Sequence, residues 1–294
     1  MTEKCPHESL ANESVYLTSI RVLGSPYLRV TALRCIASIF RNFFFLQHRA
    51  AFLPGLIPVS KADHPLDSTI PFLPGRIGIY LDFVAFWVRC LGFLLRKCGR
   101  MALEPVRHFI ATMDGLYAYA AQVYAKNLST TSRPFYISHP RFLLIHAVDP
   151  HLMCIPSLHV MIVIRTYTLF ADMIETLGVK GKFAAQAEEL RQGALAITGA
   201  VLYVKQHSVN CIPAALYAMT SFDPRLFTPA EAERFVSDLF RGENAPNRQE
   251  AEEIRRHIIS LYRRFITEGE TANNWSAPLL NFLNELPKKQ QGVV

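Results

Sequence analysis

The chain has 294 residues, enough for one large domain or two small ones around a buried core; half are hydrophobic and the mean hydropathy is +0.16. Only 19% are charged, against about 25% in ordinary globular proteins, a balance that suits a polytopic membrane protein with a polar tail and leaves a soluble helical protein as the alternative. The net charge of +7 comes without a basic run or an exposed aromatic platform, which argues against a nucleic-acid partner, and six scattered cysteines without a C-x-x-C argue against a zinc site or a disulfide framework.

The opening "MTEKCPHESLANES" is polar, so no cleavable signal peptide is expected. Residues 15–53 are apolar but carry Arg21, Arg29, Arg34, Arg41 and Arg49, mostly seven or eight apart and so near one helical face. That pattern predicts one tilted membrane helix, or an interfacial helix followed by a short span. After a loop rich in Pro and Asp come apolar segments over 77–95, 108–125, 157–174, 193–207 and 208–222. None reaches the run of about 18 uninterrupted apolar residues that makes a span self-evident. Charges inside them (Asp82, Asp114, Arg165, Asp172, Lys205) are costly in lipid and should face the bundle interior; Arg165 and Asp172, seven apart, form a candidate structural pair.

Basic loops give an orientation. If 77–95 runs inward, then Arg96, Lys97, Arg100 and Arg107 lie on the cytoplasmic side with Lys180, Lys182 and Arg191, and the helix ends at Lys126, Arg133, His159 and His207 gather on the opposite side. From Asp223 the character changes to three amphipathic helices, the first opening on a Thr228 cap with Pro229 and Glu231. The expected architecture is an all-α membrane bundle of about six helices (a leading segment 1–60 and a core 61–222) with a helical cytoplasmic tail, 223–294, and both termini cytoplasmic.

The polar residues between the apolar segments carry the chemistry. A phosphoryl centre needs fixed positive charge on its non-bridging oxygens, which Lys126 and Arg133 supply, and the guanidinium can bind two oxygens at once. Pro134 stiffens the turn that aims Arg133, and Ser157 sits where a helix N-terminus would offer a hydroxyl and free N–H groups. Each has an ordinary reading too: Lys126 as a membrane-edge lysine, Ser157 as an N-cap, the histidines as interfacial residues. His139, His146 and His151 read as loop residues.

"KNLSTTSRP" matches K-x6-R-P, "PSLH" matches P-S-x-H, and "YVKQHSVNC" resembles a third motif. Together they resemble the type 2 phosphatidic acid phosphatase superfamily, and Leu158, "KQHSV", "STIPFLPG" and "HAVDPHLMCIPSLHV" resemble its inositol-phosphoceramide and sphingomyelin synthase-like branch. The resemblance covers about 66–220. It implies a metal-free, cofactor-free lipid phosphatase or phosphotransferase acting at the extracytoplasmic face on a phospholipid or sphingolipid. His207 would attack phosphorus, His159 would protonate the leaving alkoxide, and Lys126, Arg133 and Ser157 would hold phosphate.

The third motif departs from S-R-x5-H-x3-D. Ala200 and Val201 stand at the Ser-Arg positions, leaving Lys205 to compensate, and Cys211 stands where an aspartate would orient the nucleophilic imidazole. A neutral substitution at the corresponding carboxylate of a serine-protease triad costs about 10⁴ in rate. Asp82, Asp114 or Asp149 could substitute for it. If Cys211 follows His207 by one helical turn, Cys211→Asp should raise turnover. The alternative function is a catalytically degenerate membrane protein that binds a phospholipid headgroup or a partner chain.

Overall fold

The computed structural model describes residues 8–241 and 245–289. Helix α1 (Val15–Gly24) starts at Ser14, whose hydroxyl accepts from Leu17 N at 3.2 Å. The chain breaks at Ser25, and Pro26 opens α2 (Pro26–Ile39), where a first-turn proline loses no hydrogen bond. α2 continues through a π-helical stretch, Phe40–Phe45, into α3 (Leu46–Phe52). Of the two expectations for 15–53, the single tilted helix is not found: the segment forms two arms, packed on each other and on the helices behind them.

Next come β1 (Val59–Lys61), α4 (Ile77–Leu81), α5 (Phe83–Cys98), α6 (Leu103–Tyr124), β2 (Leu128–Thr130), α7 (Pro140–Val148), α8 (Leu158–Thr176), α9 (Lys180–Tyr203) and α10 (Cys211–Phe222). Three helices close the chain: α11 (Pro229–Asp238), α12 (Arg248–Thr271) and α13 (Ala277–Glu285). The all-α expectation holds, with β1 and β2 forming a small parallel pair in the register Ser60 to Ser129.

α8 is the centre. It is buried without interruption from Val160 to Phe170 and touches α5, α6, α9 and α10. A helix apolar all round must be enclosed on every side. Its hydroxyls turn back onto their own backbone, Thr166 to the Ile162 carbonyl and Thr168 to that of Ile164. Arg165 does not pair with Asp172 as expected; its Nη1 donates to Asp223 Oδ2 at 2.9 Å, because Asp223 ends α10 directly beside α8.

The tail is not an appendage. Phe235, Ile254, Ile258, Phe265 and Leu283 belong to the same continuous core as the 61–222 helices, so no packing boundary falls at 222/223. The sequence cue for α11 is borne out, as Thr228 Oγ1 accepts from Glu231 N; α12 opens on a reciprocal capping box of Asn247 with Glu250. Beyond α13 the chain pairs with β1, as Lys61 N donates to the Pro287 carbonyl and Lys289 N to that of Val59, both at 2.7 Å. His257 of α12 reaches Asn210 Oδ1 at 2.9 Å and stacks on His64 at 4.0 Å.

These contacts correct the expected topology. The tail closes on β1, β1 pairs with β2, and Ser129 of β2 bridges to Met153 in the loop before α8. The tail and the loops bearing Arg133, His159 and His207 thus share one end of the bundle, and a bilayer cannot separate them. Among the described residues no single helix is long and apolar enough to cross a membrane; one bent pair, Pro74–Leu81 with Phe83–Tyr124, meets the length and composition of a span.

A long apolar face is left open. Tyr16, Ile20, Tyr27, Val30, Leu33 and Phe40 follow helical spacing along α1, α2 and the π stretch, and all are exposed, while Leu28, Ala32 and Cys35 on the other face are buried. Leu143, Leu144 and Val148 of α7 are exposed as well.

Candidate functional site

The site is built where α6 ends. Tyr124 donates from its hydroxyl to the Pro156 carbonyl at 2.5 Å, fixing the turn that precedes α8. β2 grips the same turn: Ser129 N donates to the Leu152 carbonyl, Cys154 N to that of Ser129, and Ile155 N to Ser129 Oγ at 2.7 Å. These bonds set Ser157 as the residue before α8 and His159 in its first turn.

His207 arrives from the other side. α9 ends at Tyr203 and the chain turns, with Lys205 in the left-handed region at φ 55°, before α10 begins at Cys211. The turn brings the His207 ring edge-on to that of His159, with centroids 5.4 Å apart. His159 is sandwiched by Tyr80 at 4.5 Å and Phe83 at 4.2 Å.

Arg133 reaches the cluster through two partners. Its Nη1 donates to Gln206 Oε1 at 3.3 Å and its Nη2 to the Asp149 carbonyl at 3.1 Å. His151 completes the group: its Nε2 lies 2.8 Å from Thr131 Oγ1, and its backbone N–H donates to Asp149 Oδ1 at 2.9 Å. A cavity of about 20 Å³ lies among Asp149, His151, His159, His207 and Tyr80. That is room for roughly one water.

Burial decides the protonation states. It presses the His207 ring down to about 4 against the raising effect of a hydrogen bond to the Cys154 backbone. His151 falls to about 3, chiefly by burial and then by the nearby charges of Arg133 and His207. His159 is pushed well below its ordinary value by burial first and by His207 and His151 after it. Asp149 moves up, because burial outweighs the His151 N–H and Arg133. Near neutral pH the three imidazoles are neutral, with the Arg133 guanidinium bonded to Gln206 and to the Asp149 carbonyl beside them.

The sequence-derived set therefore meets only in part. Arg133, His159 and His207 share the site. Ser157 is fully buried with an unpartnered Oγ and makes no side-chain cap. Lys126 is exposed just past α6 and does not line the cavity. Lys205 is not free for phosphate: its Nζ donates to the carbonyls of Asp67 and Ile70, the latter at 2.5 Å. Cys211 is buried at the head of α10 while His207 lies in the turn before it, so the two are not one turn apart on a single helix as expected.

The missing carboxylate is not replaced. Among the described residues no carboxylate hydrogen-bonds the His207 ring, which is held by the Cys154 backbone alone, and its buried Nδ1 has no partner. Of the three substitutes considered, Asp82 pairs with Arg89, Asp114 lies in mid-α6, and only Asp149 lines the cavity. The residues that the sequence reading passed over are His151, Gln206 and Tyr80. His151 carried a usable cue: Asp149-Pro150-His151 is a turn signature in which an Asp side chain binds the N–H two residues on, and His tolerates the left-handed φ of 59° found there.

No group of three or more His, Cys, Asp and Glu side chains among the described residues is arranged to hold a metal ion. The arrangement offers the neutral imidazoles of His151, His159 and His207 around one small cavity, with the Arg133 guanidinium bonded to the cavity-lining Asp149 and the buried Ser157 hydroxyl one residue before the cavity-lining Leu158. Compared with known proteins, the chain matches no family model, no curated protein and no solved structure.

Proposed function

We propose that this chain is a membrane-associated lipid phosphatase or phosphotransferase working through a phosphohistidine on His207. The observation that carries the reading is the meeting of the His159 and His207 rings at 5.4 Å beside Arg133, from segments far apart in the chain. Arg133 would take two non-bridging oxygens of the phosphoryl group, with the Ser157 hydroxyl as a further donor. The Nδ1 of His207, which has no protein partner, carries the lone pair that attacks phosphorus. The N–P bond forms as the P–O bond to the lipid alcohol breaks, and His159 gives its proton to the leaving oxygen. Water or a second alcohol then takes the phosphoryl group from His207, with His159 accepting that nucleophile's proton.

The depressed imidazoles fit the first step in one respect and constrain it in another. A neutral His207 is a ready nucleophile, while a neutral His159 must first gain a proton, which an arriving phosphate dianion favours by its charge. The single-water cavity must also widen for a phosphate to enter. The open apolar face of α1, α2 and the π stretch, with α7 beside the site, is the part we propose lies in the lipid, as an interfacial seat rather than a passage across the bilayer.

A second reading has its own observations. The tied Lys205, the exposed Lys126 outside the cavity and the absent carboxylate partner favour a degenerate relative that binds a phospholipid headgroup or a partner without turning it over. Release of inorganic phosphate from a short-chain phosphatidic acid separates the two. Catalysis predicts slow release that falls by about a hundredfold or more in Arg133→Ala and in His207→Ala. Release that survives His207→Ala removes the phosphohistidine step. No release, with retained binding to phosphatidic acid vesicles, favours the degenerate reading.

A further inference from the structure

Three cavities lie in a row, each sharing lining residues with the next. The polar one at His207 shares Phe43, Leu158 and His159 with an apolar cavity of about 230 Å³. That cavity shares Ile39, Val84 and Trp87 with a third, of about 240 Å³, between α1, α2 and α5. We infer that this row is the seat of one amphiphile, with its polar head at the histidine cluster and a single long acyl chain running from His159 past Trp87 into the groove between α2 and α5. The head assignment rests on the phosphate reading above; the acyl groove does not.

The lining argues for a hydrocarbon chain. Beyond His159 the groove is aromatic and aliphatic, with the Tyr117 phenol in its inner wall, and its aliphatic hydroxyls, Thr18 and Ser19, donate to the carbonyls of Ser14 and Val15 one turn back. Those side chains therefore offer the groove no free donor. Cys35 in the same wall is held protonated, its thiol raised to about 12 chiefly by burial. A space of this kind stays dry and takes an apolar guest, and the two apolar cavities together reach the range of about 300–1,000 Å³ usual for small-ligand sites. His159, stacked on Tyr80 with Phe83 tilted against it, stands where the polar and apolar spaces meet, as the linkage of a lipid would require.

Charge favours a lipid over a protein side chain as the occupant. From Ser14 to Ala62 the sequence has no acidic residue, and Arg21, Arg29, Arg34, Arg41 and Arg49 are all exposed on the elements that build the groove. Cations interleaved with open apolar residues match an anionic lipid surface, from which a chain can pass directly into the slot.

Trp87 lines both apolar cavities, and the chain has only one other tryptophan, Trp275. In a Trp275→Phe background Trp87 is the sole reporter. Titration with a brominated long-chain fatty acid, which has no phosphate, should quench Trp87 saturably at about one molecule per chain. Ile39→Phe fills the junction of the two cavities and should weaken that quenching by roughly tenfold, as the loss of a few buried methylenes would. Ile39→Val should retain it, which guards against a folding artefact. Quenching that is absent, unsaturable, or indifferent to Ile39→Phe overturns the groove. Saturable quenching alongside no phosphate release would retire the phosphate reading and leave the groove standing; release without quenching would do the reverse.

Discussion

Replacing Arg165 by methionine tests whether the C-terminal helices belong to one cooperative core. Arg165 is 3% exposed on the central helix, and its partner Asp223 is 13% exposed at the end of α10. Its guanidinium also lies over Phe222 at 5.6 Å, and its Nε is buried without a partner. Removing one member of a buried ion pair costs about 3–5 kcal/mol, because the other charge is left in a poor solvent. Two features lower that figure here. Asp223 keeps Arg225 at 3.8 Å and the Leu226 N–H at 3.4 Å, and the substitution relieves an orphaned Nε worth about 1 kcal/mol or more. The expected loss is about 2–3 kcal/mol. In urea, with a slope of about 3 kcal/mol/M, that moves the unfolding midpoint down by roughly 1 M. Adding Asp223→Asn should recover most of it, since the pair then becomes neutral. A loss under about 0.5 kcal/mol, or two transitions of which only one moves, would refute the single core.

Acid should loosen the fold over a defined window. His207 and His151 titrate near 4 and 3 when folded and near 6.5 when unfolded, so between those values the unfolded chain binds more protons. The stability they contribute is complete above pH 6.5 and is lost as pH falls toward 4, by up to about 3 kcal/mol for His207 alone. Urea midpoints measured from pH 7.5 to 4.5 should fall accordingly, and His207→Gln should flatten the slope; a flat wild-type profile would contradict the buried neutral rings. Cys211→Asp, the change that motif logic alone would choose to restore activity, should instead lower the melting temperature and leave turnover unimproved. Its thiol is fully buried and held far above its ordinary pKa by burial, so a carboxylate there would be desolvated without a partner. Higher turnover at unchanged stability would show that Cys211 does face His207.

Much of the secondary structure was legible because local signals suffice for it. Thr228 and Pro229 announced α11, and the alternation of charge and apolar residues announced α12. The meeting of His159 and His207 beside Arg133 was foreseen through the resemblance and the basic-loop orientation, not through any period in the sequence. Three things were not foreseen. A basic-loop count could not foresee Pro287 and Lys289 pairing with β1, because a two-strand contact between distant segments leaves no period in the sequence. Lys205 looked like a spare cation, but its use is set by two backbone carbonyls in a loop more than a hundred residues earlier. Cys211 was counted along a helix that stops at Tyr203, and nothing in "YVKQHSVNC" marks the stop with a Gly or Pro. The apolar periodicity of 15–53 was read correctly as amphipathic, yet period alone cannot say that the face away from the core stays open.

The central claim is that His207 takes the phosphoryl group, and mass spectrometry of the protein after brief exposure to a short-chain phosphatidic acid, quenched at alkaline pH to spare an N–P bond, tests it most directly. The account predicts one added phosphoryl group that maps to the peptide bearing His207 and disappears in His207→Gln. Phosphate on another residue, or turnover with no phosphorylated intermediate even when the second step is slowed by cold, would contradict it.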